Sequence, residues 1–324
     1  MLLGLETFSY HRWFGHGRMD VFAFIERSAE LGLDGVQLNV NGGNLGHVGG
    51  GDAGRLREIR ELVNQHDMFV EIDSRGTDPE HLTTMLGICE AVGADVLRTY
   101  ASCGGDLAQE LAEAPGQLRQ IVPMCADLGV RIAVENHEYE TSEEVLEIVR
   151  RVDSEWVGTH VDTGNSMMAW EDPVAAVAAL APLAASSHFK DHIVIMAQEP
   201  LIVGVTLGAG SIDCAECFRI LAEESPLERL IIEVCYGYSA PFRRPQERGG
   251  GGRLGEEAFR VVDGPHDPSQ VLLSYGQDDP VPHERALEWQ DESVVESVAY
   301  VKSLKEAWEK SEGRRRMDGD EESL

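Results

Sequence analysis

Short apolar runs recur along the chain, separated by stretches whose apolar residues return every three to four positions. The runs are Leu2–Phe8, Gly35–Val40, Met68–Asp73, Val96–Tyr100, Arg131–Glu135, Trp156–Asp162, Ser186–Lys190 and Leu230–Val234. They are rich in Val, Ile and Leu, and several alternate little, as strands buried on both faces do. Between them, Val21, Phe24, Ile25, Ser28 and Ala29 share one helical face. Leu56, Ile59, Leu62 and Val63 share another, and Val145, Leu146, Ile148 and Val149 a third. Thr77-Asp78-Pro79-Glu80 and Thr141-Ser142-Glu143-Glu144 read as helix starts, and Gly32, Gly93 and Gly129 as helix ends. Eight strands alternating with helices predict an α/β fold, a closed (β/α)8 TIM barrel. The competing open, doubly wound sheet usually carries a glycine-rich phosphate turn after its first strand, and none follows Leu2–Phe8.

Two stretches fall outside the repeat. Residues 239–291, after the eighth strand, hold Gly249–Gly252, several prolines and only short apolar runs such as Val261-Val262 and Val271-Leu272-Leu273. A segment this long is read as an insertion over the face where catalytic groups gather. Ser293 to Trp308 has helical spacing and is expected to close the barrel domain, which thus runs over 1–309. Residues 310–324, with Arg314-Arg315-Arg316 beside several acids, are expected to be a disordered charged tail.

Charge narrows the function. The 324 residues hold 27 Lys+Arg against 57 Asp+Glu, a formal charge of -30. That balance argues against nucleic acid and against an anionic membrane, since both need cationic surfaces. The longest uncharged stretch, Val174 to Phe189, is interrupted by Pro182 and is too short to span a bilayer. Met1 to Glu6 lacks a basic n-region, and six cysteines in a chain this long do not make a disulfide scaffold. The expectation is a reduced, cytoplasmic protein.

The ends of the later strands carry the candidate chemistry. They read Val134-Glu135-Asn136-His137, His160-Val161-Asp162-Thr163-Gly164-Asn165, His188-Phe189-Lys190-Asp191 and Ile231-Ile232-Glu233-Val234. In a barrel these ends project into one bowl. Glu135, Asp162, His188 and Glu233 then come from four successive strands. Taken singly, each is an ordinary polar residue at a strand end. Together, three carboxylates and an imidazole would repel one another without a cation between them, and one divalent metal ion resolves that. An oxygen-rich set with one nitrogen suits Mn²⁺, Mg²⁺ or Co²⁺ better than a thiolate-type zinc site, and Mn²⁺ is the expected ion.

These pieces, with Leu207-Gly208-Ala209-Gly210-Ser211-Ile212-Asp213, resemble the sugar isomerase/epimerase-like (xylose isomerase-like) TIM barrel superfamily over most of Met1 to Glu233. The resemblance implies that Glu135, Asp162, His188 and Glu233 bind one divalent metal. It further implies that Glu135 and Glu233 flank a sugar and move protons. The glycine-rich turn at 208–213 is read as structural.

The chemistry expected is abstraction of a proton next to a sugar carbonyl, giving a metal-stabilised enediolate. Glu135, Glu233 and His137 are the candidate bases. His137 alternatively contacts a substrate hydroxyl. Lys190 either polarises a substrate oxygen or forms a buried salt bridge, with Asp191 as one partner. Reprotonation of the enediolate would make the protein a sugar or sugar-phosphate isomerase or epimerase. Elimination would make it a carbon–carbon lyase, and here the chain resembles the α-subunit of bacterial C-glycoside deglycosidases, which cleave 3-keto C-glycosides together with a small β-subunit. His137 and the aromatic and basic residues after Glu233 (Tyr236, Tyr238, Phe242, Arg243, Arg244) tilt the reading to the lyase. A non-catalytic metal-binding subunit or sugar sensor is the contrasting class. An oligomer is expected.

Weaker candidates complete the reading. Cys214-Ala-Glu-Cys217 has CxxC spacing without a second pair and reads as ordinary helix cysteines. His11, Trp13, Phe14 and His16 form an aromatic wall of the site or a packed loop. Asn39, Asn41, Glu71, Asp73 and Arg98 are rim residues within reach of hydroxyls. Gly42-Gly43 and Gly49–Gly51 read as a mobile loop around His47.

Overall fold

Seven parallel strands follow one another around a barrel: β1 (Leu2–Glu6), β2 (Gly35–Asn39), β3 (Phe69–Asp73), β4 (Val96–Thr99), β5 (Arg131–Glu135), β6 (Val157–Asp162) and β7 (Ala184–Phe189). An antiparallel hairpin, β8 (Asp191–Met196) and β9 (Pro200–Val205), intervenes before the last barrel strand, β10 (Arg229–Ile232). β10 pairs with β7 on one side and β1 on the other, which closes the eight-stranded parallel barrel. The structure, a computed structural model, describes residues 1–263 and 284–321, with side chains through residue 311.

All eight strands lie where the apolar runs predict them, because each run must be buried on both faces. Outward side chains such as Leu38, Ile72, Val134 and Val161 pack beneath the helices and are fully buried. Gly4 and Gly35 leave room for the Phe69 ring inside the barrel floor. A Cβ at Gly35 would fall 2.4 Å from that ring. Arg229 covers the same ring at 4.7 Å. The predicted helix boundaries hold as well. Asp78 accepts from His81 N at 2.9 Å, with Pro79 opening the helix Pro79–Val92. Thr141 and Glu144 form a reciprocal capping box on the helix Ser142–Val152. Gly93 and Gly129 end their helices at φ +85° and +68°.

The β8–β9 hairpin was not anticipated. It occupies the long interval between His188 and Glu233, and β11 (Ser239–Pro241) adds to it as a third antiparallel strand. The 208–213 turn beside it is held by one side chain. The Asp191 carboxylate accepts from the backbone N–H groups of His192 (2.9 Å), Gly208 (3.0 Å), Gly210 (2.8 Å) and Ile212 (3.2 Å).

Of the segment 239–291, residues 264–283, including Val271-Leu272-Leu273, lie outside the described residues. Gly249, Gly250 and Gly252 run against Ala169, Trp170 and Glu171, and the Phe242 ring stacks on Trp170. The C-terminal helix starts at Glu284, earlier than Ser293, and its backbone continues to Glu321, into the stretch read as a tail. Pairs one turn apart, Arg285–Glu288 and Glu306–Lys310, accompany that extension. Val294, Val298 and Val301 are buried against the barrel, and Arg27 grips Asp291 with two bonds of 3.0 and 3.1 Å.

Candidate metal centre

Strand periodicity builds the site. Glu135, Asp162 and His188 occupy the last inward positions of β5, β6 and β7, and Glu233 follows β10 directly. The four converge on one atom. His188 Nδ1 lies 3.0 Å from Glu233 Oε2, 3.2 Å from Glu135 Oε1 and 3.6 Å from Asp162 Oδ2. Asp162, His188 and Glu233 offer ligand atoms within 4.8 Å of one another. A second such group joins Glu135 and His188 to His160, which lies one strand repeat below Asp162.

Two of the ligand candidates, Asp162 and Glu135, are held from behind. Asn136 clasps the backbone of Asp162, donating to its carbonyl at 3.0 Å and accepting from its N–H at 2.9 Å. Asp162 Oδ1 accepts from the N–H groups of Gly164 and Asn165, both at 2.8 Å, leaving Oδ2 for the centre. Glu135 gives Oε2 to Arg98, which also pairs with Asp73. Glu135 Oε1 therefore faces His188.

Lys190 Nζ lies 2.7 Å from Asp162 Oδ2 and also pairs with Glu233. The buried salt bridge expected of Lys190 thus forms with these two carboxylates. Asp191 is instead engaged by the 208–213 turn.

The electrostatics follow from burial. Desolvation raises the Glu135 carboxyl to about 7 against the pull of Arg98. It also raises Glu6, at the end of β1, well above the usual carboxylate range, helped by Asp73 and Glu233. For Glu233, burial is outweighed by His188 and Lys190, so its pKa falls well below the usual range. For His188, burial is outweighed by Glu233, Asp162 and Glu135, and the imidazolium is favoured. Buried carboxylates (Asp73, Glu135, Asp162, Glu233) thus crowd around Arg98, Lys190 and the His188 imidazole, and the three-oxygen, one-nitrogen donor set among them has the chemistry to hold one divalent cation.

A cavity of about 590 Å³ opens above this cluster. Glu233, Lys190, Asn165 and Arg98 line its floor side, and Phe8, Tyr100, His137 and Tyr238 supply rings. The His137 ring stacks on Tyr100 with centroids 3.8 Å apart. Tyr238, from the segment after β10, donates to Glu138, which also accepts from Arg243 Nε at 2.6 Å. That segment therefore supplies part of the wall.

Several expectations are corrected. His11, Trp13, Phe14 and His16 do not line the cavity. His11 bonds Phe8 O and Gln290, and Trp13 donates to Leu287 O, so His11–Gly15 is a short helix packed against the C-terminal helix. Phe8 and His47 line the cavity instead, His47 stacked on Phe14 at 4.2 Å. Asn39, Asn41, Asp73 and Arg98 reach the cavity, but Glu71 lies beneath it, fully buried and paired with Arg229. Cys214 and Cys217 are buried at the start of a helix, where burial pushes both thiols up.

Residues not singled out include Glu6, His160, His192 and above all Gln37, whose Oε1 lies 2.5 Å from His188 Nε2. The available signal was a lone polar residue two positions before Asn39 within an apolar run.

Residues 25–249 match the profile of the xylose isomerase-like TIM barrel family. The chain belongs to that family. It is 26% identical over 223 residues to 3-oxo-isoapionate decarboxylase of Pectobacterium atrosepticum, an alignment covering 66% of this chain and 78% of that one. It covers 60% of another curated relative. Among solved structures, it is similar to a D-psicose 3-epimerase crystallised in the presence of D-fructose (TM-score 0.60, 16% identity, 94% of this chain and 99% of that one). It is also similar to the IOLI protein with a bound zinc atom (TM-score 0.60, 14% identity, 93% and 99%). Among the described residues, no helix is long and apolar enough to cross a membrane.

Proposed function

We propose that this protein is a divalent-metal-dependent enzyme that removes a proton next to a keto-sugar carbonyl, and that the bond then broken is carbon–carbon. The substrate class is a 3-keto C-glycoside. The convergence of three carboxylates on His188 Nδ1 carries this reading. Glu135, Asp162, His188 and Glu233 would hold the metal, with Mn²⁺ the first candidate and Mg²⁺ or Co²⁺ the alternatives. Bound there, it would supply Lewis acidity at the carbonyl oxygen.

The chain's own residues do the rest. Lys190 orients Asp162 and Glu233 and stands beside any substrate oxygen entering the floor. His137, held against Tyr100, takes the proton from the carbon beside the keto group, with Glu135 and Glu233 as the other bases in reach. The electron pair left behind forms the enediolate. As the carbonyl is restored, the enediolate electrons form a double bond between the deprotonated carbon and its neighbour, and the aglycone departs from that neighbour with the electrons of the broken carbon–carbon bond and takes up a proton.

Tyr238, Phe8 and a cavity of about 590 Å³ suit a substrate larger than one monosaccharide. The curated decarboxylase, named for breaking a carbon–carbon bond in a 3-oxo acid, supports the same bond type. A small β-subunit and an oligomeric assembly belong to this reading. The six free cysteines support a cytoplasmic setting.

A panel of keto sugars and 3-keto C-glycosides with Mn²⁺, run with and without a small protein encoded nearby, tests it. Released aglycone is the expected result. An altered monosaccharide would replace the lyase with an isomerase or epimerase. Absence of any carbon-bound proton exchange in D₂O would leave a sensor and overturn the enzyme reading.

A further inference from the structure

We infer that Gln37 and Glu71, outside the ligand set, are positioning residues that fix which nitrogen of His188 faces the metal centre. The inference rests on the metal reading above.

The bonds that orient His188 begin at the barrel floor. Glu71 is fully buried. Its Oε1 accepts from Arg229 Nε at 2.6 Å, and Arg229 also pairs with Asp95. Its Oε2 accepts from Ser186 Oγ at 2.6 Å and from Gln37 Nε2 at 2.9 Å. A carboxylate ion-paired to arginine only accepts, so the Gln37 amide must turn its NH₂ to Glu71. That turns Gln37 Oε1 to His188 Nε2, 2.5 Å away. A carbonyl oxygen only accepts, so Nε2 must carry a proton. In the neutral ring the lone pair then sits on Nδ1, the atom on which Glu135, Asp162 and Glu233 converge. One chain of buried bonds, Arg229 to Glu71 to Gln37 to His188, therefore fixes Nδ1 as the nitrogen that faces the three carboxylates and would ligate an ion. Partners of this kind orient a ligating ring, and losing one weakens metal binding about 10- to 100-fold.

The direction of each bond makes a swap possible. In Gln37→Glu alone, two carboxylates meet without a proton between them. In Glu71→Gln alone, the Gln37 amide loses the acceptor that orients it. In the double variant Gln37→Glu/Glu71→Gln, residue 37 accepts from both His188 Nε2 and the new amide, so the ring orientation returns.

The test uses the full chain titrated with Mn²⁺ by calorimetry and with Co²⁺ by its visible spectrum, folding being followed by circular dichroism. Gln37→Met, close in length and shape, and each single variant should bind about 10- to 100-fold more weakly, with an altered Co²⁺ spectrum. The double variant should recover to within about threefold of wild type. Tight wild-type binding with unchanged affinity and spectrum in Gln37→Met overturns this inference alone, as does a folded double variant no better than the singles. Absence of metal binding by wild type overturns the metal reading and this inference with it.

Discussion

Asn136 and Asp162 hold each other across neighbouring strand ends by two buried hydrogen bonds, 3.0 Å and 2.9 Å long, made by one side-chain amide on one backbone unit. The pair ties the β5 end, which carries Glu135, to the β6 end, which carries Asp162. Asn136→Ala strands a buried N–H and a buried C=O at once. Each such group costs about 1–3 kcal/mol. The expected loss in urea denaturation is about 2–6 kcal/mol, with weaker metal binding than the stability loss alone would give. A variant as stable as wild type would show that the clasp is dispensable.

Glu135→Gln and His188→Ala address the centre itself. Glu135→Gln keeps the shape and removes a charge, while His188→Ala removes the atom on which three carboxylates converge. Both should lower turnover of the accepted substrate by at least about 10²-fold, with unchanged circular dichroism. Undiminished rates in either variant would contradict the assigned roles.

Most of the barrel was legible in the sequence because burial on both strand faces demands near-continuous apolar runs, and side chains at their ends have one bowl to enter. Glu135, Asp162, His188 and Glu233 were found that way. The β8–β9 hairpin was not, because Ile193, Val194 and Ile195 carry an apolar run that belongs to no βα repeat. Gln37 and Glu71 were missed or misplaced because a polar residue inside a buried strand gives no sign of whether it faces substrate or another side chain. That depends on partners such as Arg229, which is distant in the chain. The same limit applies to Trp13, whose aromatic ring suits a sugar wall and a helix contact equally well by sequence.

Lys190 offers a test of charge balance. It is the buried cation that pairs with both Asp162 and Glu233. Lys190→Met leaves those carboxylates short of a partner, and breaking a buried pair costs about 3–5 kcal/mol. The variant should melt well below wild type in EDTA. Mn²⁺ replaces the missing charge, so it should raise the melting temperature more in the variant than in wild type. Equal rises would mean that Lys190 and the metal do not share the same field.

Glu140 makes the stability depend on pH. It is buried, with Oε1 accepting from Ser102 N at 2.8 Å, and desolvation raises its pKa to about 7. The folded state thus binds a proton more tightly than the unfolded chain, whose carboxyl has a pKa of about 4.3. The associated stability is complete below the unfolded value and is lost as pH rises through about 7, an effect of roughly 4 kcal/mol. Glu140→Gln removes this slope. Relative to wild type it should gain stability between pH 5 and pH 8, whatever its offset at low pH. Parallel stability–pH curves would show that Glu140 is not the group responsible.

Gly164 packs against two side chains of the site, and here the constraint is space, since its φ is an ordinary -111°. A Cβ at this position would fall 2.2 Å from His192 Nδ1 and 2.7 Å from Lys190 Cγ. Both side chains line the cavity, and Lys190 is fixed by Asp162 and Glu233. Overpacking at such a point costs about 1–3 kcal/mol and is relieved by moving whichever neighbour is free to move. In Gly164→Ala the backbone N–H that holds Asp162 Oδ1 also shifts. The variant should therefore fold with a modest loss in denaturant midpoint yet lose about 10²-fold in turnover, since small displacements of positioned groups cost that much. Restoring room with the double variant Gly164→Ala/His192→Ala separates the two neighbours. Recovery of activity would place the damage in His192 crowding, while persistent loss would place it in Lys190 and the Asp162 turn.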